Sequence, residues 1–221
     1  MCGRFVLTVN PEVVQTAFDL TTMPPIMAPR FNIAPTQPVA VISNENPHEL
    51  TFYKWGLIPS WSKDPSIGSK MINARSESAA EKPSFRSAFK RRRCIIPADG
   101  FYEWQQHGGE KTPMFIHMKD QEVFGMAGLW EIWHSPDGGE IRTCSILTTD
   151  ANEFMQTIHN RMPVILHKED YKLWLSPDEE PAPVLQELMK PYSGDELTAY
   201  PVSKMVNKPG NDTPDLIQPV D

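Results

Sequence analysis

Apolar residues along this chain alternate over short stretches more often than they recur at helical spacing. Residues 3–9, GRFVLTV, read as a first strand. Asn10-Pro11 then opens a helix to about residue 20, with asparagine as the cap and proline at the first helical position. The proline-rich stretch 23–38 is expected as extended loop. Strands over 39–43 and 50–55 follow, joined by the turn-rich SNENPHE. Residues 58–70 read as irregular loop, and 76–80 and 84–90 as short helices, the second capped by Ser84. Five runs, 94–97, 101–105, 112–118, 123–133 and 141–149, then read as successive strands. Turn signals at His107-Gly108-Gly109 and Pro136-Asp137-Gly138-Gly139 favour hairpins between them. Helices over 150–158, 168–175 and 182–190 and a strand over 197–202 complete the pattern. The acidic, proline-containing tail is expected to wrap the surface.

This order is not the strict alternation of strand and helix that builds a doubly wound sheet. It predicts an α+β fold: a single domain over 1–221, with a largely antiparallel sheet or partly closed barrel and short peripheral helices. The chain of 221 residues is long enough to bury one full core. No apolar run approaches the roughly 20 residues that cross a bilayer. The N-terminus places an arginine where a signal peptide needs its apolar region. The expectation is a cytoplasmic protein with no membrane partner.

Charge and cysteine content narrow the chemistry. The net charge of −7 argues against a nonspecific polyanion binder. It leaves room for a focused basic groove, for which Arg4, Arg30, Arg75, Arg86, Arg161 and the run Lys90-Arg91-Arg92-Arg93 are candidates. The alternative for that run is a solvated helix end, where cations favour the negative pole of the dipole. Three cysteines make no disulfide framework. Cys94 and Cys144 read as buried strand residues, and their spacing fits no zinc site. No cofactor or metal is expected.

Cys2 is different. Small second residues invite removal of the initiator methionine. What remains is a thiol and a primary amine on adjacent carbons. An α-amine titrates near ~7.7–8.0, so part of it is neutral at physiological pH. A neutral amine adds to an aldehyde to give an imine. The neighbouring sulfur closes on the imine carbon to give a thiazolidine, with the high effective molarity of an intramolecular reaction. Read alone, Cys2 is equally the unremarkable second residue of the chain. Met-Cys-Gly also opens the N-terminal-nucleophile amidohydrolases.

Six blocks, the opening one included, weigh on these readings. Met-Cys-Gly-Arg-Phe at the start is followed by Phe31-Asn32-Ile33-Ala34-Pro35 and Trp55-Gly56-Leu57-Ile58-Pro59. Then come Ile72-Asn73-Ala74-Arg75-Ser76-Glu77, the run from Arg93 to Trp104 (RCIIPADGFYEW), and Ile158-His159-Asn160-Arg161-Met162-Pro163. In this order they resemble the SOS response-associated peptidase (SRAP) family of abasic-site processing proteins, from residue 2 to about 166. Val202 to Asn207 is a weaker match. The resemblance implies a sensor of abasic sites in single-stranded DNA. Such a protein crosslinks itself to the ring-opened sugar through Cys2 after loss of Met1, shielding the lesion. It also implies autoproteolytic thiol peptidase activity and association with the nucleoid on damage. Monomer is the default expectation.

The resemblance assigns roles residue by residue. Glu103 is the acid/base group near the Cys2 amine, although from spacing alone it reads as a solvent-facing strand glutamate. His159 is the proton donor for ring opening, with a helix-end or core histidine as its alternative. Asn73 orients the sugar or the N-terminal group; its alternative is turn chemistry. Arg4, Arg75 and Arg161 are phosphate contacts, a task that suits guanidinium. Pro35, Trp61 and Trp104 are stacking or wedge residues, with core packing as the alternative. Trp55, Trp130, Trp133 and Trp174 are assigned to the core. Two other readings remain at this point: the amidohydrolase, and a DNA-structure binding module with an incidental cysteine.

Overall fold

The computed structural model describes residues 2–220. The expected removal of Met1 therefore concerns a residue outside those described. In chain order the strands are β1 Phe5–Leu7, β2 Arg30–Ile33, β3 Pro38–Ser43, β4 Leu50–Trp55, β5 Asn73–Arg75, β6 Arg93–Ala98 and β7 Gly100–His107. They continue with β8 Glu110–Met118, β9 Phe124–His134, β10 Glu140–Asp150, β11 Arg161–Pro163, β12 Ile165–Leu166 and β13 Leu197–Pro201. Helices are short and peripheral: α1 Pro11–Ala17, α2 Ser76–Ala79, α3 Arg86–Arg91, α4 Glu153–Gln156, α5 Tyr171–Trp174 and α6 Ala182–Glu187. The architecture is α+β, as the pattern predicts.

Two sheets carry the fold. In one, β10, β4, β3, β6 and β9 pair in sequence, and β9 pairs back onto β10, closing a five-stranded barrel. The other runs β13-β8-β7-β1-β2, antiparallel throughout. The barrel strands are buried on both faces over much of their length, β6 throughout and β9 over its first eight residues, because one face fills the interior and the other is covered by neighbouring elements. Trp55, Trp130 and Trp174 lie in that core, and Trp133 is also buried. Phe5 of β1 meets Trp55 of β4 edge-on, with ring centroids 5.2 Å apart, and so docks the second sheet on the barrel. Gly138, at φ +89°, turns the β9–β10 hairpin as expected.

Several expectations need correction. The stretch 23–38 is not loop throughout, since it contains β2. That strand sits at a sheet edge, where the Asp212 carboxylate accepts from the Phe31 N–H at 2.5 Å and the Tyr102 hydroxyl donates to the Phe31 carbonyl at 2.8 Å. Side chains thus complete a strand that its prolines and loop-like neighbours conceal. The tail does not merely wrap the surface. Val202, Val206 and Leu216 are buried with Val6, Tyr102 and Phe115 in a second apolar cluster on the outer face of the β1–β7–β8 sheet. α3 begins at Arg86 behind Phe85, not behind a Ser84 cap. α4 starts only at Glu153, because β10 continues through Asp150 and Asn152 then caps the helix, its Oδ1 accepting from Met155 N at 2.7 Å.

The basic run is not a groove, and only half of it is a helix end. Lys90 and Arg91 pair with Glu179 at 2.6 and 2.7 Å, and Arg92 pairs with Glu131 at 2.8 Å. Arg93 is fully buried and donates to the carbonyls of Phe89, Lys90, Trp174, Ser176 and Asp178. It ties the segment after α5 to the barrel.

Candidate active site

Four separate stretches of sequence build the site. Cys2 precedes β1, Asn73 opens β5, Glu103 lies in β7 and His159 sits between α4 and β11. β1 and β7 pair with Phe5 opposite Phe101, and Tyr102 N donates to Arg4 O at 2.9 Å. Continued one step, that register sets Glu103 across from Gly3, beside Cys2. β10 supplies the other side. Its second half pairs with β5, Ile146 opposite Asn73 and Thr148 opposite Arg75. Its end pairs with β11, Asp150 opposite Arg161.

Cys2 is buried, and Asn73 Nδ2 donates to its backbone carbonyl at 2.8 Å. Burial pushes the thiol up to about 12, and the nearby Glu103 carboxylate pushes the same way. The sulfur is therefore an S–H at neutral pH. Glu103 itself is buried, which overturns the solvent-facing alternative for it. Asn73 Oδ1 is buried and has no hydrogen-bond partner among the described residues.

His159 is half-buried, and its Nδ1 meets both backbone groups of Arg161. The backbone N–H of Arg161 lies 3.0 Å from His159 Nδ1. The Arg161 carbonyl lies 3.3 Å from the same nitrogen, so Nδ1 accepts from the N–H in one neutral tautomer and donates to the carbonyl in the other. Gln105, two residues beyond Glu103 and on the same face of β7, donates from Nε2 to Thr157 O at 2.8 Å. That bond ties the Glu103 strand to the loop bearing His159. Sequence reasoning missed Gln105, which no motif marks.

The candidate DNA contacts divide into two groups. Arg75 is exposed at the end of β5, next to Asn73. Trp61 is exposed over 61 % of its surface, on a loop held by the Trp133 indole N–H donating to Ser62 O at 2.7 Å. The same loop is pinned at its root, where Gly56, at φ +128°, and Gly68 approach so closely that a Cβ on Gly56 would lie 2.6 Å from Gly68 O. Pro35 is half-buried in the turn after β2.

Arg4, Trp104 and Arg161 are engaged within the protein. Arg4 Nη1 donates to Asn32 Oδ1 and to Val206 O, both at 2.7 Å, and its guanidinium lies 5.9 Å from the Trp104 ring centre. Trp104, on the opposite face of β7 from Glu103, donates to Asn207 Oδ1 at 2.8 Å and packs beside the second cluster. Arg161 Nη1 meets Glu77 Oε1 and Asp150 Oδ1 at 2.6 Å each, while Nη2 meets Glu77 Oε2 at 3.0 Å and Thr148 O at 2.6 Å. Burial works to lower the Arg161 pKa, but the Glu77 and Asp150 carboxylates carry it above its ordinary value. Burial likewise opposes ionisation of Glu77, and its bonds to Arg161, with Arg75 nearby, still hold it below the usual carboxylate range.

Cys94 and Cys144 are free and buried in barrel strands, as expected. Among the described residues no group of three or more metal-ligating side chains gathers. No helix among them is long and apolar enough to cross a membrane.

Comparison with known proteins gives a consistent result. The sequence pattern described as SOS response associated peptidase (SRAP) matches residues 1–209. The abasic site processing protein YoqW of Bacillus subtilis is 46% identical over 222 residues, covering 99% of each chain. The abasic site processing protein HMCES of Gallus gallus is 38% identical over 192 residues, covering 76% of this chain and 56% of that longer protein. A crystal structure of a protein from Bacteroides thetaiotaomicron superposes with a TM-score of 0.89 at 28% identity, covering 99% of this chain and all of that one.

Proposed function

Because this chain belongs to the SOS response associated peptidase (SRAP) family, we propose that it processes abasic sites in DNA by covalent capture. The substrate is the ring-opened sugar of an abasic site in single-stranded DNA. The nucleophile is Cys2, once Met1 has been removed. The observation that carries this reading is the setting of Cys2: its carbonyl is held by Asn73 and its thiol sits in the field of Glu103.

The chemistry balances within these groups. Ring opening moves a proton from the anomeric hydroxyl to the ring oxygen. His159 in its protonated form suits delivery to that oxygen, returning to the neutral ring, and the Glu103 carboxylate suits removal from the hydroxyl, passing its proton on to the water lost at the imine step. The neutral α-amine of Cys2 then adds to the aldehyde carbon, and loss of water gives the imine. The sulfur adds to the imine carbon, and its proton passes to the nitrogen. Aldehyde plus aminothiol thus becomes thiazolidine plus water. A thiol that titrates near 12 arrives as S–H, and the adjacent carboxylate suits relaying its proton to the nitrogen as the C–S bond forms. Asn73 fixes the backbone from which amine and thiol both project.

Around this centre Arg75 and Arg161 supply phosphate contacts and Pro35 and Trp61 supply stacking surfaces, while Arg4 and Trp104 would first have to leave Asn32, Val206 and Asn207 to serve the same ends. Trp61 suits the task best, because it is exposed on a pinned loop. The peptidase of the family description fits cleavage of the Met1–Cys2 bond, which would free the amine. Action as a monomer at damaged nucleoid DNA completes the reading. The amidohydrolase alternative has only Met-Cys-Gly behind it.

The test is direct. Incubate the protein with a single-stranded oligonucleotide carrying one abasic site, then resolve it under denaturing conditions. A shifted band is expected, lost in Cys2→Ala. Intact mass should find the unreacted protein short of one methionine residue. No covalent band, or one indifferent to Cys2→Ala, refutes the reading.

A further inference from the structure

A guanidinium offers five N–H groups. In Arg161, four face acceptors already: Glu77 twice, Asp150 once and Thr148 O once. The remaining Nε is buried without a hydrogen-bond partner. The side chain is only 10 % exposed. A phosphate that seeks Arg161 must therefore displace something.

The three present occupants differ in how firmly they hold. Thr148 O belongs to β10, whose ladder to β11 fixes it in place. Glu77 grips the guanidinium with both oxygens, the geometry that makes Arg–carboxylate pairs strong. Asp150 makes one bond, from a side chain 79 % exposed at the end of β10. A carboxylate at the solvent end of a half-exposed pair regains its hydration when it swings away, so it is the occupant most readily exchanged. With both carboxylates ionised the trio is net negative, so it also repels an approaching strand.

We propose that Asp150 is a specificity-determining residue, a displaceable carboxylate that occupies the phosphate position on Arg161 in the free protein. It rests on the reading of Arg161 as a phosphate contact. Any single strand must expel Asp150 to reach Arg161. Intact DNA has only noncovalent contacts to offset that step. Abasic DNA goes on to a covalent product. Asp150 thus weakens retention on undamaged strands and leaves the bond-forming step to discriminate.

The experiment uses the full chain and a labelled intact oligonucleotide, read by anisotropy across a salt series. Asp150→Asn should bind intact single strand about two- to fivefold tighter, the range an exposed pair supports. Its half-saturating concentration of abasic DNA should fall while the crosslinking rate at saturation stays unchanged. Asp137→Asn, which removes an exposed charge in the β9–β10 turn, should leave both unchanged. The Asp150→Asn gain should disappear in an Arg161→Gln background. Unchanged or weaker binding by Asp150→Asn, while Arg161→Gln weakens binding, overturns the proposal alone. A gain that persists without Arg161 does the same. If Arg161→Gln binds intact DNA like the parent protein, the phosphate reading falls and takes the proposal with it.

Discussion

The side-chain amide of Asn73 reaches across from β5 to donate to the backbone carbonyl of Cys2 at 2.8 Å. The two residues lie 71 positions apart in sequence, yet this bond sets where the amine and thiol of Cys2 point. Asn73→Ala removes the donor and leaves a buried carbonyl with a lost bond. Misplacing reacting groups by about 1 Å costs around 10²-fold in rate. Crosslinking by Asn73→Ala should slow by about 10- to 100-fold in single-turnover assays, with affinity for intact DNA unchanged. A parallel loss of affinity would place Asn73 among the DNA contacts instead.

Glu103 and His159 have separable tasks. Glu103→Gln keeps size and hydrogen bonding but loses the base; His159→Ala loses the donor. Each should slow crosslinking by about 10²–10⁴-fold, the range for general acid–base loss. Neither should weaken binding to intact DNA, whereas Arg75→Ala should weaken it. Equal loss of binding in all three variants would contradict these roles.

The buried thiols make an alkaline weakness. Cys2 is raised to about 12, and burial also raises Cys94 and Cys144 from an ordinary value of 9.0. A raised acid keeps its proton in the folded state after the unfolded chain has lost it. Its contribution to stability is constant below pH 9 and falls as pH rises above that. Each such thiol therefore lowers stability as pH rises above 9, Cys2 until it reaches its folded value of about 12. Denaturant midpoints should therefore be flat from pH 7 to 9 and drop steeply beyond. Cys2→Ala should shallow that drop, which a midpoint series would register. For the same reason folded Cys2 should react slowly with alkylating reagents at neutral pH, although it is the nucleophile.

How much of this was legible in the sequence depended on range. β8, at nine residues, and β9 and β10, at eleven each, are long enough to show their apolar content between turn signals. β5, β11 and β12 are two or three residues long and exist because β9 and β10 pair with them. β2 is completed by Asp212 and Tyr102, far away in sequence. The motifs single out Cys2, Asn73, Glu103 and His159, and the fold draws Cys2, Asn73 and Glu103 together. They could not reveal that Arg161 meets Glu77, or that Arg4 meets Val206 from 202 residues away. Local pattern does not encode which acceptor a guanidinium will find.

Asn32 shows what such remote pairing holds in place. It is fully buried, accepts from Arg4 Nη1 at 2.7 Å, and donates from Nδ2 to the carbonyls of Asn211, Lys208 and Val206 at 2.7, 3.1 and 3.3 Å. One amide thereby binds β2, the strand leading from Cys2, and the tail that covers Val6 and Tyr102. Asn32→Ala strips a buried guanidinium of one acceptor and several carbonyls of their donor, at about 3 kcal/mol. For a chain of this size that corresponds to a fall in Tm of roughly 6–12 °C. Asn32→Asp would offer Arg4 an ion pair but turn a carboxylate toward three carbonyls, so it should not restore stability. Calorimetry on both variants checks this. A parent-like Tm for Asn32→Ala would mean that the tail is held by its apolar contacts alone, with Arg4 left to engage phosphate.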